Sequence, residues 1–147
     1  MNWKQIKVGA LLMTTALGSF ASEITVTGIE HDRGGNIIVF VFSEDGFPKK
    51  HDLAIQQQTQ KAKADTMQFL FDMSEVELNK GEVAIKVLHD EDENGQVTKN
   101  WTGIYPAEGL GFSKQQKVTL TGAPVYKHSK IDVTELASGL TIEMNYP

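Results

Sequence analysis

Apolar and polar residues alternate with period two along most of the chain beyond Glu23, the pattern of strands with one buried face. Ile24 and Val26 share a side opposite Glu23, Thr25 and Thr27. Met67, Phe69 and Phe71 alternate with Gln68, Leu70 and Asp72, and Val83, Ile85 and Val87 oppose Ala84, Lys86 and Leu88. Val118 with Leu120 and Ile131 with Val133 mark two shorter strands, and Leu140, Ile142, Met144 and Tyr146 close the chain. Asn36 to Ser43 is a continuous run rich in β-branched and aromatic residues, as suits a central strand covered on both faces. These segments predict an all-β fold, a single antiparallel β-sandwich of about seven strands. Leu53 to Asp65, rich in Gln, Lys and Ala, breaks the pattern and reads as a short solvated helix or an irregular crossing loop. The longest stretch without strand character is the loop 91–116, where a search for function should begin.

The N-terminus follows a different logic. Lys4 and Lys7 precede an apolar stretch from Val8 to Phe20, and Ser19-Phe20-Ala21 places small residues where a signal peptidase reads. The apolar run is too short to span a bilayer comfortably. Residues 1–21 are therefore expected to be a signal peptide and residues 22–147 one β-sandwich domain, periplasmic or secreted, with no stable membrane anchor after cleavage. Losing Lys4 and Lys7 takes the formal charge from −5 to −7. That acidic balance speaks against a nucleic-acid partner, whose footprint is a basic face. The absence of Cys excludes disulfides, thiolate zinc sites, a thiol nucleophile and a lipid-modified N-terminus.

Candidate chemistry concentrates after the Gly81–Leu88 strand. In His89-Asp90-Glu91-Asp92-Glu93-Asn94-Gly95-Gln96-Val97-Thr98, the residues Asp90, Asp92, Asn94 and Gly95 fit a D-x-D-x-N-G spacing. Alternate side chains can then turn inward around one hard cation while the glycine permits the bend. Gln96 would add a backbone carbonyl and Thr98 a water-mediated contact. Trp101 stands where an EF-hand requires a bidentate Glu, so this is no EF-hand. A calcium site would need a further carboxylate, Glu108 or Asp32. The competing reading is a charged turn, since Asn-Gly after a strand is also a hairpin signal.

The segment from Gly81 to Asp90, the Asp92-Glu93-Asn94-Gly95 turn, and Gly103-Ile104-Tyr105-Pro106-Ala107-Glu108-Gly109-Leu110-Gly111-Phe112-Ser113 together resemble an exported bacterial family, domain of unknown function 2141. Its pattern is a strand ending in His-Asp, an Asx-rich turn and a G-I-P-x-E-x-x-G-F-S segment. Tyr105 is an insertion against that pattern, and Thr98 stands where the family places an Asp. The resemblance implies a transthyretin-like or immunoglobulin-like β-sandwich and no established activity.

Other residues carry weaker signals. His89 continues the Val83–Val87 face and reads as a structural histidine at the rim of the core; the enzymatic alternative is a hydrolase with His89 as base. No G-x-S-x-G elbow and no i, i+4 pair of His occur, so no catalytic residue is assigned. Trp101, Tyr105 and Phe112, with Glu108, form the candidate binding loop; such aromatics more often fold back over the end of a sandwich than stack on a ligand. Asn100-Trp101-Thr102 matches a glycosylation acceptor but is idle in a bacterial context. The expected role is that of a binding or interaction module, with calcium as the one candidate cofactor. Its partner would be a small ligand or another exported protein, on which the chain could also dock as a purely structural module.

Overall fold

Alternating segments become strands because their apolar sets face one another across two sheets. The computed structural model describes residues 21–74, 76 and 81–147, so the expected signal peptide lies outside the described residues except for Ala21. The chain is mostly β. In order come β1 (Ala21–Thr27), β2 (Asn36–Phe42), β3 (Gln56–Lys61), β4 (Met67–Asp72), β5 (Glu82–Asp90), β6 (Leu110–Phe112), β7 (Ile131–Asp132) and β8 (Leu140–Glu143). Two single-turn helices, α1 (Tyr126–Ser129) and α2 (Val133–Leu136), flank β7. No helix among the described residues is long and apolar enough to cross a membrane.

One sheet has the order β4-β1-β8 and the other β3-β2-β5-β6, with β7 also paired to β5. Ile24, Val26, Phe69, Phe71 and Ile142 from the smaller sheet meet Ile37, Val39, Val41, Val83, Ile85 and Val87 from the larger one in a single core. Full burial of each such side chain contributes about 1.5–3 kcal/mol. A second cluster, Ile38, Phe40, Phe42, Leu88, Leu110 and Phe112, lies on the outer face of the larger sheet, partly covered by Phe47, Val97 and Val118 from loops. Both faces of β2 are thus apolar, which accounts for its unbroken hydrophobic run, and β5 beside it is buried on both faces as well.

Four expectations need correction. The described residues hold eight strands, close to the seven or so expected, but β1 and β8 pair in parallel, so the sheets are not wholly antiparallel. The chain leaves β7 in one sheet, turns through α2 on buried Val133 and Leu136, and enters the other sheet in the same sense as β1. Leu53 to Asp65 is neither helix nor irregular loop: it holds β3, paired antiparallel with β2. Its inward residues are glutamines, whose side-chain amides donate to the main chain of β4: Gln56 to the Asp72 carbonyl at 2.7 Å, Gln58 to that of Leu70, and Gln60 to that of Gln68 at 3.0 Å. Val118 to Leu120 is a tight turn closed by Thr119 and Gly122, with Leu120 exposed to solvent.

The loop 91–116 is also shorter than expected, because Leu110–Phe112 pairs with β5. Short β6 and β7 occupy the same edge of β5 at different heights, and the Ser113 hydroxyl accepts the Ile85 N–H in the gap between them at 2.9 Å. Beyond β8, Asn145 exchanges both main-chain hydrogen bonds with Leu110 at 2.9 and 2.8 Å, tying the end of one sheet to the edge of the other.

Candidate functional site

The connection from β5 to β6 organises itself around carboxylates. Asp90, the last residue of β5, is buried, and its two oxygens accept the N–H groups of Asn94 at 3.1 Å and Gly95 at 2.8 Å. Left-handed backbone at Glu93 (φ 58°) and Gly95 (φ 74°) turns the chain back so that these groups face Asp90. Asp92 accepts the Thr98 hydroxyl at 2.6 Å and the Asn94 side-chain amide at 3.2 Å. Glu108 approaches from the returning arm, accepting the Glu91 N–H at 3.0 Å and the Thr98 N–H at 2.9 Å. Asp90, Asp92 and Glu108 each present a carboxylate oxygen, all within 4.8 Å of one another.

The electrostatics differ within the trio. Burial pushes the carboxyls of Asp90 and Glu108 up from their ordinary range, and the negative charge of Asp92 adds to both shifts. The Thr98 hydroxyl holds Asp92 down. A cation among the three would relieve this crowding. Of the ligands expected from sequence, Asp90 and Asp92 come together and Glu108 joins them, whereas Asp32 sits exposed in the turn before β2. Asn94 spends its carbonyl oxygen on the Gln96 N–H at 2.8 Å, and Thr98 donates its hydroxyl to Asp92, so both serve the turn itself. Gln96 is exposed.

The binding-loop residues scatter. Phe112 is buried in the outer cluster, Tyr105 is partly exposed, and Trp101 stands at 96% exposure at the loop tip rather than folding back over the sheets. His89 is fully buried. Its Nε2 donates to the Gly34 carbonyl at 2.6 Å and its Nδ1 accepts the Tyr146 hydroxyl at 2.7 Å, while the Tyr146 oxygen accepts the Glu30 N–H at 3.0 Å. No ring nitrogen remains for a substrate proton, so the geometry removes the base that a His89 hydrolase needs.

Sequence reasoning missed a second cluster. Lys86 lies on the outer face of β5 at 3% exposure, between Phe40 of β2 and Phe112 of β6. Its ammonium donates to the Pro48 carbonyl and to His51 Nε2, each at 2.8 Å, and no carboxylate pairs with it among the described residues. Burial lowers its pKa to about 8. His51 is held below its usual range by burial and then by the charge of Lys86; its ring stacks on Phe40 with centroids 4.1 Å apart. Its Nδ1 donates to the Gly95 carbonyl at 3.0 Å, linking Lys86 to the acidic turn. The only sequence signal was a single charge within the otherwise apolar stretch from Val83 to Leu88.

A family model covers residues 24–139, from β1 through both clusters to the threshold of β8. The chain belongs to domain of unknown function 2141. That family is described as uncharacterised protein conserved in bacteria. No curated protein and no solved structure matches the chain. In this member of the family the His-Asp end of the strand supplies a buried structural histidine and a turn-organising carboxylate, and the Glu of the G-I-P-x-E segment is Glu108, which staples the two arms of the loop.

Proposed function

We propose that the protein is an exported binding module, periplasmic or secreted, of the transthyretin-like or immunoglobulin-like sandwich type, in which calcium bound in the β5–β6 loop braces a ligand-binding face. The single observation that supports the metal is the arrival of Glu108 beside Asp90 and Asp92, which places hard oxygen donors from both arms of the loop within 4.8 Å. Main-chain carbonyls of the turn, that of Gln96 among them, and water would complete the shell that Ca²⁺ requires. Binding would tie the arm after Asp90 to the arm before β6 and so hold the aromatic tip, with Trp101, in one place. The export reading draws support from the Lys4–Ala21 pattern, and cleavage after Ala21 would leave β1 intact from Ser22 onward. Mass spectrometry of protein recovered from a bacterial periplasm or medium is expected to give Ser22 as the first residue; a chain retaining Met1 would exclude export by this signal.

Calcium at about 5 mM is expected to stabilise the fold by about 1–2 kcal/mol, as for a weak extracellular site. Calorimetric titration and the thermal midpoint measure it, and Glu108→Gln should remove most of the effect. No heat and no shift of the midpoint at that concentration would exclude the metal. The loop would then be a self-capped acidic turn, a reading favoured by the main-chain N–H groups already bound to Asp90 and Glu108. The partner is either a small ligand or another exported protein, and exposed Trp101 and Ile104 at the loop tip mark the face that would meet the protein.

A further inference from the structure

The outer face of the larger sheet carries a pocket of about 390 Å³ whose charged lining is entirely basic. Lys86 and His51 form its floor and exposed Lys49 and Lys99 also line it, while no Asp or Glu does. In a chain with net charge −5 that segregation is informative. The remaining wall is largely apolar: Val97, Ile104, Tyr105, Phe112, Val118 and Leu120. Ile104 is 70% exposed and Leu120 is 89% exposed, so the pocket presents uncovered apolar surface beside its cations. The adjoining larger hollow, of about 680 Å³, differs in kind, since Glu108 and the C-terminal Asn145–Pro147 line it.

Lys86 supplies the decisive chemistry. Burying an ammonium costs several kcal/mol unless a countercharge and full hydrogen bonding offset it. Here two neutral acceptors take two of its three N–H donors, and no carboxylate approaches. An anionic head group in the pocket would supply both the countercharge and the third acceptor. Its apolar body would cover Val97, Val118 and Leu120, which a simple inorganic anion would leave wet. The volume lies in the lower part of the usual range for small-ligand pockets, roughly 300–1,000 Å³.

We infer that this pocket binds a small amphipathic organic anion, of the class of medium-chain carboxylates, with the head group on Lys86 and the chain along Val97, Val118 and Leu120. The inference rests on the reading of the chain as a binding module and names its ligand class, but it does not rest on calcium. The test is therefore run with a chelator present. Decanoate is titrated calorimetrically against decanamide, which has the same chain and no charge. Decanoate should bind at least about tenfold more tightly, and Lys86→Met should abolish that preference. Lys99→Glu, at an exposed position where the fold is spared, should weaken decanoate several-fold and leave decanamide unchanged. Amide resonances of Lys86, His51 and Val97 should move on titration. Equal affinity for the two probes, no binding of either, indifference of decanoate to both substitutions, or shifts centred on Asn145 and Tyr146 would each overturn the assignment. Because the pocket is probed without metal, a negative calcium titration leaves it standing, and failure here leaves the calcium reading untouched.

Discussion

Replacing Gly35 by alanine is expected to cost about 3–5 kcal/mol, among the largest effects of any single substitution in this chain. Gly35 lies in left-handed backbone (φ 70°) just before β2, where its Cα faces the end of β5. A Cβ there would stand 2.2 Å from the Asp90 carbonyl oxygen and 2.6 Å from the Cα of Glu91, both main-chain atoms that no rotamer change can move. The left-handed conformation itself contributes only about 1–2 kcal/mol of that cost. Gly34→Ala provides the comparison, since Gly34 also has a positive φ (75°) but nothing lies within 4 Å of where its Cβ would stand. Urea unfolding should separate the two variants by at least about 2 kcal/mol. Equal losses would mean that the Asp90–Glu91 backbone yields, and the acidic turn would then be a loosely attached element. If it does not yield, the alanine displaces that turn, and the calcium response should fall with stability.

Stability is expected to rise between pH 8 and about pH 10, by up to about 3 kcal/mol, because Lys86 is buried without a carboxylate. Its folded pKa is lowered to about 8 from the ordinary 10.5. In that window the unfolded chain keeps a proton that the folded chain has released, so unfolding takes up a proton and rising pH favours the fold. Tyr126 and Tyr146 act with the opposite sign. Burial raises both phenols above 10, so the unfolded chain releases those protons first and stability falls again at higher pH. The profile should therefore peak near pH 10. Urea midpoints at pH 7, 8, 9 and 10 measure the rise, and Lys86→Met should flatten it while leaving the decline beyond. A wild-type profile flat from pH 8 to 10 would show that the ammonium is compensated in the folded state and that the pocket has no unmet demand for an anion.

The legible parts of the fold are those where side-chain chemistry matches its surroundings. β1, β4 and β8 show alternation because one face is buried and the other is not, and β2 shows a continuous run because loops cover the outer face of its sheet. Strand parity alone placed His89 with the Val83–Val87 face. β3 was hidden because its inward residues are amides that bond to main chain, and no hydrophobicity scale registers them. β6 was hidden because Leu110 and Phe112 flank a glycine; a Cβ on Gly111 would lie 2.7 Å from Ile142 Cγ2, so the close approach of β8 demands it. Val118 and Leu120 alternate without being a strand, since the turn at Thr119–Gly122 leaves no partner for them. The acidic turn could be read from local spacing. The Lys86–His51 pair could not, because 35 residues separate its members and only the β2–β5 pairing, with the return past Pro48, brings them together.

The glutamine rungs between β3 and β4 have a consequence for association. β3 ends one sheet and β4 ends the other, and an open sheet edge is a template on which a foreign strand, or a second copy, can polymerise. Here the carbonyls of Gln68, Leu70 and Asp72 are already claimed by amides of the same molecule. Strand-by-strand growth would first have to displace them. Three side chains that contribute nothing apolar to the core of this cysteine-free chain thereby guard the β4 edge against fibril growth.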